Sequence, residues 1–329
     1  MKQYLELLRN IRDNGDHKAD AREGLPGTKS LFGPQIEFNL AEGFPMITTK
    51  KVSFHNIVVE LLWFLRGNPN IRYLVENGVN IWNEDAYNYF QKLFPDSTAT
   101  FAEFMERVIA GYTRNGTNYR YGDTGNQYPK TWRWFGGTAT TAGIDQITRV
   151  IHNIKKNPNG RRHLVSSIDV ANDQDLALYW CHALFQFNCR QVSHDIEDGY
   201  FLDCKLYQRS ADSILGVPYN IASYALLMQI VAKLTGMIPG RFIHSFGDIH
   251  LYDNHQEAAD LQLTRTPHKL PELYFSNEFE TLITQYTIGD VWYTHELFNQ
   301  LTPEMFRLID YTHDAPIKAT LNTGMKNGK

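Results

Sequence analysis

Three cysteines in 329 residues are too few, and too odd a number, for a disulfide framework, and they fit a reducing compartment. There is no Cys-x-x-Cys pair. The stretch His250-Leu251-Tyr252-Asp253-Asn254-His255 lacks the third and fourth ligands of a zinc site, so no metal is expected. No apolar run approaches the ~18–20 residues that cross a bilayer, and no internal repeat or low-complexity tract is present. The opening Met1-Lys2-Gln3-Tyr4-Leu5-Glu6 has no basic-then-apolar leader, which makes the cytoplasm the expected location. A formal net charge of −4 leaves no basic excess for general nucleic-acid binding. The cations should instead be local, placed for one small anion.

What is present is apolar material, 43% of the chain, enough for one large core or two modest ones. Nothing marks a boundary, so a single domain over 1–329 is expected. Tyr4, Leu5, Leu8 and Ile11 fall on one side of a helix over 1–14, and 16–28, with Gly24, Pro26 and Gly27, reads as a loop. The spacing predicts a strand over 30–40, an apolar helix over 55–66, a helix over 144–156 and a long apolar helix over 221–234. It also predicts paired strands over 184–190 and 200–207 and a strand over 241–250. Strands and helices mix without strict alternation, which points to a layered α+β fold.

The richest stretch is Leu178-Tyr179-Trp180-Cys181-His182-Ala183-Leu184-Phe185-Gln186-Phe187, followed by Leu206-Tyr207-Gln208-Arg209-Ser210-Ala211-Asp212 and Gly216-Val217-Pro218-Tyr219-Asn220. A thiol, a cation and a planar amide recur within a short span, as covalent chemistry on an anionic heterocycle requires. An isolated Cys-His pair is ordinarily core packing, and Cys189 and Cys204 fit that reading. Cys181 is set apart by its neighbours. Glu60, inside the apolar helix, is costly to bury without a partner or a function, although a surface position at a turn end explains it equally well on spacing alone.

These blocks resemble the thymidylate synthase family, in order and spacing, from Met1 to about Lys318. The resemblance implies a large mixed, kinked β-sheet flanked by helices, one face of which forms a homodimer. It implies one-carbon transfer from 5,10-methylenetetrahydrofolate to C5 of dUMP, with Cys181 attacking C6, Glu60 relaying protons near the uracil carbonyl, and Tyr128 in the proton-abstracting water network. Arg22, Arg209 and Ser210 would hold the phosphate, joined by Arg161 and Arg162 from the partner subunit. Asn220 would read the uracil edge, and His250 and Tyr252 the sugar hydroxyl. Lys50, Trp82 and Asp212 would face folate. Against compact bacterial members, the chain carries insertions near 86–125, expected on the folate side or the surface, and near 190–200, and a C-terminal extension over 319–329.

Several positions depart from the family pattern. The phosphate loop is Arg22-Glu23-Gly24-Leu25-Pro26-Gly27-Thr28, the tyrosine block is Gly125-Asn126-Gln127-Tyr128-Pro129, Trp180 stands where proline precedes the cysteine, and the tail after Lys318 is long and polar. A rebuilt folate wall would admit water to the C5 methylene. The expectation is therefore a dUMP hydroxymethylase of the kind found in phages with modified DNA, located in the host cytoplasm if phage-encoded. True thymidylate synthase, yielding dTMP and dihydrofolate, is the alternative. A silent nucleotide-binding or assembly protein is remote, because Cys181, Glu60, Arg209 and Asn220 are all retained.

Overall fold

The computed structural model describes residues 1–19, 24–138, 140–193, 199–287 and 294–322. In chain order the first half gives α1 (Lys2–Asn14), β1 (Asp16–Lys18), β2 (Thr28–Phe32), β3 (Gln35–Asn39), α2 (Phe54–Arg66), α3 (Arg72–Glu76), α4 (Asn83–Leu93), α5 (Phe101–Ala110), α6 (Tyr128–Arg133), α7 (Gln146–Lys156) and β4 (Leu164–Ser166). The second half gives β5 (His182–Gln191), β6 (Tyr200–Asp212), α8 (Gly216–Thr235), β7 (Ile238–Tyr252), α9 (Gln256–Leu263), β8 (Glu272–Phe275), α10 (Asn277–Thr287), α11 (Thr294–Gln300) and β9 (Phe306–Ile309). This is the mixed α+β architecture expected. No helix among the described residues is long and apolar enough to cross a membrane.

One large sheet runs β1-β2-β7-β6-β5-β4, with β3 also paired to β7. β5 and β6 are antiparallel, whereas β6 and β7 are parallel and joined by α8, so the sheet is mixed. The expected strand over 30–40 is two strands, because Gly33 takes φ +85° and Pro34 follows it; both pieces pair with β7. Register shifts between His182 and Leu184 and between Leu202 and Cys204 bend the sheet. At the second, the buried Asp203 carboxylate accepts the Arg241 N–H at 2.8 Å and its guanidinium at 3.2 Å.

α2 and α8 are apolar nearly all round and lie in the core, as such helices must. α2 starts on Ser53, whose side chain accepts the Asn56 N–H, and stops at Gly67 with φ 76°. A single hydrophobic cluster runs from Met1 to Phe306. The stretch over 86–125, expected to be an insertion, builds an aromatic cluster of Tyr87, Phe90, Phe104 and Tyr121. It is clamped to the preceding loop by Ile71 N–H to Gly122 O (2.9 Å) and Thr124 Oγ1 to Pro69 O (2.7 Å).

Candidate active site

The site forms where the C-terminal ends of the parallel pair β6 and β7 meet the start of β5. Register opposes Ser210 to Asp248 and Asp212 to His250, and His182 to Gln208. Cys181 stands one residue before β5, half-buried, with Sγ 3.7 Å from Arg209 Nη2. Arg209 is fixed by donating Nε to Trp180 O at 3.0 Å and Nη2 to Tyr179 O at 3.3 Å. A cation pinned by the two carbonyls that precede the sulfur favours thiolate over thiol, by up to a few kcal/mol before solvent screening. His182 supplies no such charge. Burial lowers its pKa to about 4, partly offset by a hydrogen bond to Asn220, so it is neutral at pH 7.

Tyr128, at the start of α6, accepts the N–H groups of Cys181 (2.8 Å) and His182 (3.2 Å) on its hydroxyl oxygen. It therefore fixes the backbone that presents the thiol. Burial raises its pKa, which keeps the phenol protonated and able to donate. Glu60 is buried at 9% exposure, which rejects the surface-turn explanation; its Oε1 accepts the Trp82 indole N–H at 2.7 Å. Loss of hydration raises its pKa to about 7, with the indole pulling weakly the other way. The charges of Cys181 and, more weakly, Glu60 also raise the Tyr128 pKa.

Asn220, on the first turns of α8, has its amide orientation dictated by neighbours. Gln208 Nε2 donates to Ser210 O at 3.0 Å, and a backbone carbonyl can only accept. The same nitrogen donates to Asn220 Oδ1 at 3.0 Å, and Gln208 Oε1 lies 2.8 Å from His244 Nε2. Turning the Asn220 amide over would set two NH₂ groups against each other. Gln208 and His244 were not singled out in the sequence; only their burial in the middle of strands distinguishes them.

Arg209 and Ser210 lie together on β6, while Arg22 falls outside the described residues. Arg161 and Arg162 are exposed and line a different cavity of about 750 Å³ with Arg149 and Gln186. The Arg161 carbonyl accepts from Gln186, five positions along the chain from Cys181, roughly 15 Å at strand spacing. Within one chain these two arginines therefore do not join the thiol. His250 and Tyr252 meet at the end of β7 with ring centroids 4.9 Å apart, and His250 Nδ1 is 3.2 Å from Asp248 Oδ1.

On the other flank Asp212 Oδ1 accepts the N–H groups of Ile214 (2.8 Å) and Leu215 (3.0 Å). Lys50 is buried, its ammonium donating to Ile214 O at 2.6 Å, and burial lowers its pKa to about 8. It thus faces inward toward Asp212. Trp180 is fully buried and donates to Asn126 O at 3.0 Å, so the two departures from the family pattern brace each other behind Cys181. The beginning of the tail is seated too. His255, 3.9 Å from Asp212 through Nδ1, hydrogen-bonds Thr320 O at 2.7 Å, and the Asn254 and Asn322 amides pair at 3.1 and 3.3 Å. Residues 323–329 lie outside the described residues. No group of three or more His, Cys, Asp or Glu among the described residues is placed to hold a metal ion.

Fold and site together define an enzyme with an arginine-flanked thiol at the edge of a large mixed sheet and a buried carboxylate on a core helix. A family model described as Thymidylate synthase matches residues 2–323. The thymidylate synthase of Listeria monocytogenes serotype 4b is 44% identical over 309 residues, covering 88% of this chain and 95% of that protein. The thymidylate synthase of Listeria innocua serovar 6a is 44% identical over 312 residues with the same coverage. The chain belongs to the thymidylate synthase family, whose members are pyrimidine C5 methyltransferases.

Proposed function

We propose that this enzyme converts dUMP to dTMP, taking its one-carbon unit and its hydride from 5,10-methylenetetrahydrofolate. The observation that supports the methyl over the hydroxymethyl product is the seated tail: Thr320 is held by His255, which lies 3.9 Å from Asp212, and Asn322 pairs with Asn254. A tail so held shields the folate flank from water. The buried Trp180 and its bond to Asn126 belong to the scaffold behind Cys181, which weakens one of the reasons to expect hydroxymethylation. Both relatives named above carry the thymidylate synthase name.

In this reading the Cys181 thiolate bonds to C6 and the C5–C6 electron pair moves toward O4, which makes C5 nucleophilic. Glu60, with its pKa near neutrality, moves protons at the O4 side, and Tyr128 orders water for removal of the C5 proton. The fixed Asn220 amide offers Oδ1 to N3–H and Nδ2 to O4, a match that cytosine reverses. Arg209 and Ser210, with Arg22, take the phosphate, and His250 and Tyr252 take the sugar hydroxyl. The folate flank fits its ligand: Trp82 supplies an aromatic wall and Asp212 Oδ2, unlike Oδ1, is not bound by the Ile214 or Leu215 N–H groups. Lys50 serves this flank from beneath Asp212. The whole chain acts as one catalytic domain in the cytoplasm.

Incubation with dUMP and 5,10-methylenetetrahydrofolate should yield thymidylate and one equivalent of dihydrofolate. Mass spectrometry of the nucleotide and the absorbance of dihydrofolate read the two products separately. Mainly 5-hydroxymethyl-dUMP with little dihydrofolate would overturn the methyl assignment and leave the dUMP chemistry intact.

The same reading makes the enzyme a homodimer in which Arg161 and Arg162 complete the partner's phosphate site. Their separation of roughly 15 Å along β5 from their own thiol supports it. Mixing inactive Cys181→Ser with inactive Arg162→Ala protein, with subunit exchange, should restore up to about one quarter of wild-type activity, because heterodimers hold one intact site. An active monomer in sedimentation would rule out shared sites.

A further inference from the structure

The stretch over 86–125 adds a charge to a cavity that opens beyond Trp63, whose ring lies 5.2 Å from that of Trp82, so one aromatic layer separates the cavity from the folate flank. Asn70 Nδ2 donates to Tyr121 O (3.0 Å) and Asp123 Oδ1 (2.7 Å), which locks the end of that stretch onto the loop before α3. Arg120 is thereby set on the wall of a cavity of about 380 Å³ that also receives Arg66 from the end of α2 and Arg72 from α3. One carboxylate lines it, Glu76, and Arg72 Nε already binds that group at 2.7 Å. Three guanidiniums and one carboxylate line the cavity, with Asp123 acting on Arg120 and Glu304 on Tyr73 from outside the lining, in a chain of net charge −4. Asp123 lies behind the wall, committed to Asn70 and to the Arg120 N–H.

The wall also holds Nε of Arg66, buried without an acceptor, and beside it the Tyr73 hydroxyl, which interacts with the Arg66 side chain. A buried donor so left costs about 1–3 kcal/mol unless an acceptor arrives. Arg66 otherwise donates to Leu301 O at 2.8 Å and lies 4.2 Å over the Tyr73 ring, so its fork is already oriented. The guanidinium of Arg120 has no hydrogen-bond partner among the described residues.

We propose that this cavity is a second anion site, separate from the nucleotide site, that takes a small phosphate ester. Several arginine donors converging from different elements suit a tetrahedral dianion better than a planar carboxylate needs. The volume falls in the range of small-molecule sites, and the Asn70 and Asn299 side chains on the wall suit a polar organic body.

The experiment is calorimetric titration of the full-length protein with ribose 5-phosphate while dUMP saturates the catalytic site. A binding event should persist, weaken as salt rises, and lose at least about tenfold in affinity in Arg120→Glu. Arg120 is exposed, so this variant should keep its melting temperature and its dUMP turnover; Arg72→Gln should weaken the same event if Arg120→Glu proves unstable. Absence of binding, competition of all binding by dUMP, or unchanged affinity in the folded variants would each overturn the proposal. None of these results bears on the C5 chemistry, which the product assay decides independently.

Discussion

Replacing Cys181 by serine should lower turnover by on the order of 10⁴-fold or more while leaving dUMP affinity within a few-fold of wild type. Oxygen and sulfur are close in shape, so Arg209 keeps its bonds to Trp180 O and Tyr179 O, and Tyr128 keeps the two N–H groups it accepts. What is lost is ionisation. A guanidinium 3.7 Å away favours the thiolate but cannot ionise a serine hydroxyl, whose pKa starts several units higher. Turnover measured beside equilibrium dUMP binding checks this. Serine enzyme of comparable activity would end the covalent assignment, and loss of binding would mean that the substitution had damaged the phosphate site.

The parts of the site that could be read from the sequence are those whose chemistry is local. Cys181, Arg209 and Asn220 sit in blocks whose order alone suggests them, and the structure brings Cys181 and Arg209 into contact. Helix periodicity likewise found α1, α2 and α7 to within a few residues, because burial of one face or of the whole helix writes itself into spacing, whereas α8 begins at Gly216 and takes in Pro218-Tyr219-Asn220 before the expected start at 221. Short strands such as β4 and β8 carry three or four residues and too little pattern to register.

Residues that act by holding others were not legible. Gln208 reads as one more polar residue in a strand until the parallel pairing of β6 with β7 brings His244 to it. His255 reads as one half of an incomplete metal spacing until the chain end returns from 65 residues away to meet it. The surroundings of Trp180 were hidden for the same reason. A bulky substitution beside the nucleophile suggests an opened pocket, yet its indole is fully buried and donates to the backbone of the altered Asn126 segment. Two unusual residues that look like separate defects in sequence are one compensated packing change in three dimensions.

The second large effect falls on Glu60. Glu60→Gln keeps the side chain's size and an oxygen for the Trp82 N–H, so the fold and dUMP binding should persist while kcat drops about 10²–10³-fold. The wild-type rate should show a limb near pH 7, where burial has raised this carboxyl to about 7, and the variant should lose that limb. Stability supplies an independent check. The ordinary pKa of 4.5 applies in the unfolded chain and about 7 in the folded one, so folding favours the protonated form. That preference is fully present below pH 4.5 and is lost as pH rises through 7, a change of about 3 kcal/mol at most. The glutamine variant cannot ionise and should be the more stable protein at pH 8, the difference closing below pH 4.5. Denaturant midpoints of the two proteins across that range measure it; parallel pH profiles would show that Glu60 ionises freely and is not the proton relay assigned to it.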